Sequence, residues 1–407
     1  MLAALITVSV LWTSGAAETP KTPGTEQSMN STYTIAAYYF PNYHPDARNA
    51  KQHGEGWTEW ELVKNARPRF EGHRQPNVPL WGYTDESNPE EMARKIAAAA
   101  DHGIDAFIFD WYWFDDGPFL QRGLEDGFMK AANRDRLKFA LMWANHNWLD
   151  IHPARLDQPG ALLYPGTVTP ETFERMTDYI IETYFKHPCH WCIDGRPYFS
   201  VYELHTLIQS FGSLDATRAA LDRFRAKTVA AGFPGLHLNA VTFGVRILPG
   251  ETAVSKPEEL VSLLGFDSVT SYVWIHHVSL PRFPQTPYAY VRDKYIEHWN
   301  QAAPQYPVPY FPNVTMGWDS SPRCHLDDEF KNAGYPFMAT ISENTPEAFE
   351  GGLRAVKALA DTLPESRRVI TINCWNEWTE GSYLEPDTRN GLAYLEAVRR
   401  VFEGSEP

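Results

Sequence analysis

Eight times along this chain an apolar, strand-like run is followed by an amphipathic helical pattern. The runs cover 33–40, 104–109, 138–143, 198–202, 237–242, 268–273, 308–314 and 369–373. The helical patterns cover 89–102, 119–133, 170–186, 215–232, 257–264, 287–303, 346–363 and 391–402. Strict alternation of this kind predicts parallel strands joined by right-handed crossovers. Runs that are apolar throughout are buried on both faces. Eight such units predict an α/β chain folded as a (β/α)8 TIM barrel, a single domain, rather than a doubly wound sheet. No Gly-x-Gly-x-x-Gly loop follows the first run, so the dinucleotide-binding alternative has no support. Pro with acids behind it opens several helices, as in Asn88-Pro89-Glu90-Glu91 and Thr345-Pro346-Glu347.

A barrel predicts where function sits, on the loops after the strands. Polar and aromatic residues gather there repeatedly. Pro41-Asn42-Tyr43-His44 follows the first run, and Asp110-Trp111-Tyr112-Trp113 the second. Asn145-His146-Asn147-Trp148, Tyr202-Glu203, Trp274-Ile275-His276-His277 and Gly317-Trp318-Asp319 follow later ones. The last run, Val369 to Asn373, ends in Cys374-Trp375-Asn376-Glu377-Trp378-Thr379-Glu380, with Glu385 shortly after. Core strands do not tolerate such a density of carboxylates without a reason. Flat indoles beside paired acids suit a sugar ring. Trp60, Tyr112, Trp148, Trp274, Trp318, Trp375 and Trp378 are candidate stacking surfaces. Asp110, Asn145, Asn147, Tyr202, Asp319 and Asn376 are candidate hydroxyl-binding groups. His44 and His146 are candidates for hydrogen-bonding a sugar or tuning an acid. Glu59, in Gly56-Trp57-Thr58-Glu59-Trp60, either meets substrate or pins its loop through Arg67 or Arg69. The bland reading of Glu385 is an acid at a solvated helix start.

Residues 1–17 carry a short apolar core and small residues resembling a secretory signal, and 18–30 are polar and Pro-containing, a disordered leader. The expectation is therefore a secreted or periplasmic protein whose catalytic domain is 31–407, without an integral membrane anchor. The net charge of −15 argues against nucleic acid as a partner. Cys189 and Cys192, near His187 and His190, form a local disulfide or stay free, since no second Cys pair completes a zinc site. No metal and no cofactor is expected, the expected partner is a carbohydrate, and nothing here speaks to oligomeric state.

Five segments resemble the WbsX-type, family-99-like glycoside hydrolases. They are Ala37-Tyr38-Tyr39-Phe40-Pro41-Asn42-Tyr43-His44-Pro45, Gly56 to Trp60, Phe70-Glu71-Gly72-His73-Arg74-Gln75-Pro76, Trp143-Ala144-Asn145, and Asn376-Glu377-Trp378 through Glu385-Pro386. The resemblance runs from about 34 to 402 and implies a (β/α)8 barrel related to endo-α-1,2-mannosidases and mannanases. It implies that Glu377 takes the proton of the substrate's 2-hydroxyl and that Glu380 is the acid/base. His146 stands where the family often has Glu, which separates this chain from members with a carboxylate there. Residues three apart in a helical turn are close neighbours, and close carboxyls push each other's pKa apart. The expected activity is a retaining glycoside hydrolase. A glycosyltransferase and an inactive carbohydrate-binding protein are the alternatives.

Overall fold

The computed structural model describes residues 32–403. The signal-like stretch 1–17 and the leader 18–30 lie outside them. Eight strands form the barrel: β1 (Thr34–Tyr39), β2 (Ala106–Phe114), β3 (Lys138–Trp143), β4 (Arg196–Val201), β5 (His237–Val241), β6 (Ser268–Thr270), β7 (Tyr310–Phe311 with Asn313–Thr315) and β8 (Val369–Asn373). All their mutual pairings are parallel, and β1 lies between β2 and β8, with Ala36 opposite Ala106 and Thr34 opposite Val369.

The ring closes through β7. Pro312 has no N–H for a ladder, and the strand changes partner on either side of it. Before it Tyr310 pairs with Val269 of β6; after it Asn313 pairs with Thr371 of β8. The carbonyl of Pro312 still accepts from the Thr371 N–H at 3.1 Å.

Helices pack around the ring: α1 (Pro89–Ala100), α2 (Pro170–Ile180), α3 (Leu214–Ala230), α4 (Pro257–Leu264), α5 (Tyr288–Ala302), α6 (Pro346–Ala360) and α7 (Ala393–Phe402). Asn88, Thr169 and Thr345 cap α1, α2 and α6, each followed by Pro in the first turn. No full helix forms between β2 and β3, where the pattern over 119–133 predicts one. Short turns, Gly123–Gly127 and Phe128–Lys130, take its place. Gly127 passes so close to the Glu86 carbonyl that an added Cβ would lie 2.0 Å from its oxygen. Close packing at two glycines, both poor helix formers, replaces the helix there.

Polar side chains among the buried strand residues satisfy one another. Ser200 Oγ donates to Asn239 Oδ1 at 2.9 Å, Asn239 Nδ2 donates to Ser268 Oγ at 2.9 Å, and Asn313 Nδ2 donates to Thr371 Oγ1 at 3.0 Å. Unpaired, each would cost its desolvation. Among the described residues no helix is long and apolar enough to cross a membrane. Cys189, Cys192, Cys324 and Cys374 are all free thiols.

Candidate active site

Loops beyond the strand ends enclose a cavity of about 70 Å³. Two carboxyls from the segment after β8, Glu377 and Glu380, reach it. Asn376 sets the start of that segment. Its Oδ1 accepts from the Phe40 N–H at 2.8 Å and its Nδ2 donates to the Phe40 carbonyl at 2.7 Å. The side-chain amide thus continues the β1–β8 seam for one more step. A single helical turn, Trp378–Glu380, follows, with Glu377 just before it. Gly381 ends the turn at φ 62°, where a Cβ would lie 2.7 Å from that of Asp319. Only glycine fits.

Both carboxyls meet one guanidinium, that of Arg323, which is buried. Nη2 is 2.7 Å from Glu377 Oε1, and Nη1 is 2.5 Å from Glu380 Oε1. Nε donates to Glu59 Oε1 at 2.7 Å. Glu59 therefore lies behind the cavity wall on Arg323, not on Arg67 or Arg69. Asn42 Nδ2 at 2.6 Å and Thr379 Oγ1 at 2.5 Å fix its remaining capacity. Tyr335 OH donates to Glu380 Oε1 at 2.8 Å.

The electrostatics follow from this arrangement. Burial pushes Glu59 up, but the Arg323 cation above all, with the hydroxyl of Thr379, outweighs it and holds the carboxyl below its ordinary range. Glu59 and Arg323 are a permanent ion pair. Glu377 is driven well above the ordinary range by burial and then by the charge of Glu380, against the pull of Arg323. Glu380 is also raised, by burial, with Arg323 and Tyr335 opposing. Asp110 is raised by burial too, opposed by the hydroxyl of Tyr272 at 2.8 Å. Its Oδ1 has no protein partner and its side chain lines the cavity. Burial lowers His152 to about 3, so its 4.0 Å approach to Glu59 is a contact between a neutral ring and an anion.

The sequence places β2 as ending at 109, but it continues to Phe114 and turns back through Gly117–Phe119. Alternation along this strand sends Asp110 and Tyr112 to the cavity. Trp111 goes the other way, to the hydroxyl of Tyr184 at 3.1 Å. His146, Asn147, Trp148, Tyr202 and Trp318 also line the cavity. Burial keeps His146 below its usual pKa.

Other candidates lie elsewhere. His44 is buried against Glu86 at 2.9 Å. Trp60 is packed on Tyr43 and donates to the Thr84 carbonyl at 2.8 Å. Asn145 is tied to the backbone of Glu203 through both its amide atoms. Trp274 donates to the Asn313 carbonyl at 2.8 Å and stacks on Tyr295. Asp319 accepts from His73 at 2.8 Å and Gln75 at 2.7 Å. Trp375 packs on Phe107. Trp378 stacks on Tyr383 at 3.8 Å and donates to Glu385. Glu385 is not a solvated helix start. It is buried in an ion pair with Lys95 at 2.9 Å.

Sequence reasoning missed Arg323, Tyr335, Tyr272 and His152, all of which line the cavity, as does His276, which the sequence placed at the mouth after the sixth run without assigning it a role. One signal was available for Arg323. Several acids at one barrel mouth call for a cation, and Arg323 is the first basic residue after β7. Among the described residues no group of three metal-ligating side chains occurs.

A family model described as Glycosyltransferase WbsX matches residues 35–398. The chain belongs to the WbsX family. Two relatives from Xanthomonas campestris pv. campestris, each described as uncharacterized protein WxcX, are 27% identical over 384 residues. The match covers 90% of this WbsX chain and 49% of theirs, so the chain spans about half the length of these curated relatives. Two solved structures share the fold. The GH99 endo-alpha-mannosidase from Bacteroides thetaiotaomicron matches with a TM-score of 0.53 and 14% identity, over 90% of this chain and 95% of that one. A glycoside hydrolase-like protein matches with a TM-score of 0.57 and 15% identity, over 92% and 94%. At such identities the likeness establishes the fold alone, a TIM barrel, for this WbsX protein.

Proposed function

We propose that this chain is a secreted retaining glycoside hydrolase acting on a polysaccharide or oligosaccharide, with Glu377 and Glu380 as its chemical pair. One observation carries the reading. Two carboxyls stand side by side on the terminal nitrogens of Arg323, at the wall of a cavity bearing Tyr112, Trp148, Tyr202 and Trp318. Retaining pairs lie about 5–5.5 Å apart, whereas inverting pairs leave about 6.5–9.5 Å for a water. Two carboxyls that share one guanidinium are close neighbours, and we read them as a pair of the first kind. Burial raises both carboxyls, Glu377 the more strongly, and a raised acid, once ionised, is a stronger base; the role of Glu380 as acid/base is carried over from the family resemblance. Export rests on the signal-like 1–17.

In this reading Glu377 removes the proton of the 2-hydroxyl, and that oxygen attacks C1. The bond from C1 to the leaving oxygen breaks as Glu380 protonates it, giving an epoxide-like intermediate. Glu380 then takes a proton from water, which attacks C1 as the C1–O2 bond breaks, and O2 recovers its proton from Glu377. Two inversions leave the anomeric configuration unchanged. The test is an NMR time course of the first-formed anomer on a cleaved glycan, paired with the same glycan methylated at O2. Retention with no turnover of the methylated analogue is expected. An inverted first product or brisk cleavage of the analogue sinks this route.

The family model's description favours a second reading, a glycosyltransferase. A donor nucleotide sugar carries a diphosphate, and no Gly-rich phosphate loop follows a strand in this chain. Calorimetry with nucleotide sugars separates the two: micromolar binding supports the transferase, and its absence alongside glycan hydrolysis supports the hydrolase.

A further inference from the structure

Arg323 directs its nitrogens to Glu59, Glu377 and Glu380. Asp110 is the third carboxyl lining the cavity, and it receives none of them. Among the described residues the only hydrogen bond to its carboxyl comes from the Tyr272 hydroxyl, on Oδ2. Oδ1 is buried without a protein partner. Its surroundings make that costly. Met142 stands opposite Asp110 on β3, and Phe40, Met142, Ala144 and Val273 line the same cavity. A buried carboxyl with one oxygen unpaired among apolar side chains destabilises the free protein. Tyr272, which holds the other oxygen, is itself packed on Tyr38 at 4.7 Å and edge-on to Tyr202 at 5.7 Å. The carboxyl is thus held ready for a partner from the cavity, with little freedom left to lose on binding.

The charges narrow what that partner is. Three carboxyls and one cation line the cavity, and Glu59 engages that cation from behind. Three histidines line it too, His146, His152 and His276, and burial holds each below its usual pKa. An acidic sugar would add a further acid where the one cation is already taken. Burial raises the pKa of Asp110 well above the ordinary range, with Glu380 adding to it and the Tyr272 hydroxyl opposing. A protonated carboxyl both donates and accepts, and so does a sugar hydroxyl, so the two match without any charge on the ligand.

We propose that Asp110 is a specificity-determining residue of this cavity, whose Oδ1 edge takes one hydroxyl of a neutral pyranose, a hydroxyl other than the O2 assigned above to Glu377. The inference rests on the carbohydrate reading of the cavity, and it narrows that reading to a sugar that bears no acid and keeps its hydroxyl at that position. A site built to bond a hydroxyl rejects the analogue without it, because the buried group is left unpaired.

The experiment measures binding without turnover, on full-length protein carrying Glu380→Gln. An array of neutral oligosaccharides and their uronate counterparts identifies the neutral member bound most tightly, and calorimetry compares it with its monodeoxy congeners. Neutral members are expected to bind ahead of uronates. One congener, lacking a hydroxyl other than O2, is expected to bind roughly ten-fold or more weakly than the parent. Adding Asp110→Ala should weaken the parent by a similar factor and erase the difference between parent and that congener. Adding Asp110→Asn, which keeps both a donor and an acceptor, should leave the parent within about three-fold. A role in packing alone weakens parent and congeners alike, so a difference that survives Asp110→Ala overturns the assignment. Unchanged affinity in Asp110→Ala, or a preference for uronates, overturns it too. So does Asp110→Asn as weak as Asp110→Ala, since the partner then needs a charge. Each of these results leaves the hydrolase reading standing, whereas binding of no glycan removes that reading and this one together.

Discussion

Arg323 is the residue on which the carboxyl cluster turns. It offsets one of three buried acids outright and moderates the other two. Its cation lowers the pKa of Glu377 and Glu380, so removing it raises both. Arg323→Lys keeps a charge but cannot bridge three carboxyls, and kcat/KM is expected to fall on the order of 10²-fold. In Arg323→Gln, where the cation is gone, the acid limb of the pH profile should move to higher pH, since the base then ionises later. A limb that stays in place, or moves to lower pH, counts against the clamp. Glu377→Gln and Glu380→Gln are each expected to lower kcat by about 10²–10⁴-fold. Both changes are nearly isosteric, so the melting temperature measured beside the rate should hold. Wild-type turnover in either variant removes that residue from the chemistry.

Element by element, much of the ring was legible because burial on both faces leaves a continuous apolar run. The runs at 138–143 and 369–373 match β3 and β8 to the residue. Strand ends were harder to place where tertiary contacts decide them. β2 outlasts its apolar run because the antiparallel return at Gly117–Phe119 supplies partners for Tyr112 to Phe114. Buried tryptophans carried no mark separating core from cavity: Trp60 and Trp378 share the sequence character of Trp148 and Trp318, and only packing distinguishes them. One element boundary yields a stability prediction. Asp105, at the start of β2, accepts from Ile35 N–H of β1 at 2.8 Å, and burial raises its pKa to about 6. A raised acid favours the folded state while protonated, below the unfolded pKa of about 3.9. That advantage is lost as pH rises through about 6. Asp105→Asn keeps an accepting oxygen without the charge. Its melting temperature should exceed wild type by a few degrees at pH 7.5, and the gap should close near pH 4. An equal gap at both pH values points to packing instead of ionisation.

For the molecule as a whole, the groups proposed for chemistry are side chains, and the proposed reaction calls on nothing that a chelator removes. Prolonged EDTA treatment is expected to leave hydrolysis within about two-fold of its starting rate, and the thermal melt unmoved. Loss of rate restored by one divalent ion argues for a metal-dependent reaction. The amide of Asn376 carries a consequence in time. It fastens the turn that bears Glu377 and Glu380 to Phe40 across 336 positions of chain, and β8 reaches both its neighbours, β1 and β7, only once nearly everything between has been made. Contacts of such long sequence separation form late, after the intervening loop closure has been met. During synthesis, at about 5–20 residues per second, most of the barrel wall exists before Glu377 has left the ribosome. A chain halted ahead of position 369 carries Arg323 and Glu59 but neither of the acids proposed for catalysis, so the proposed hydrolytic activity would double as a clock that starts only when the ring has been sealed.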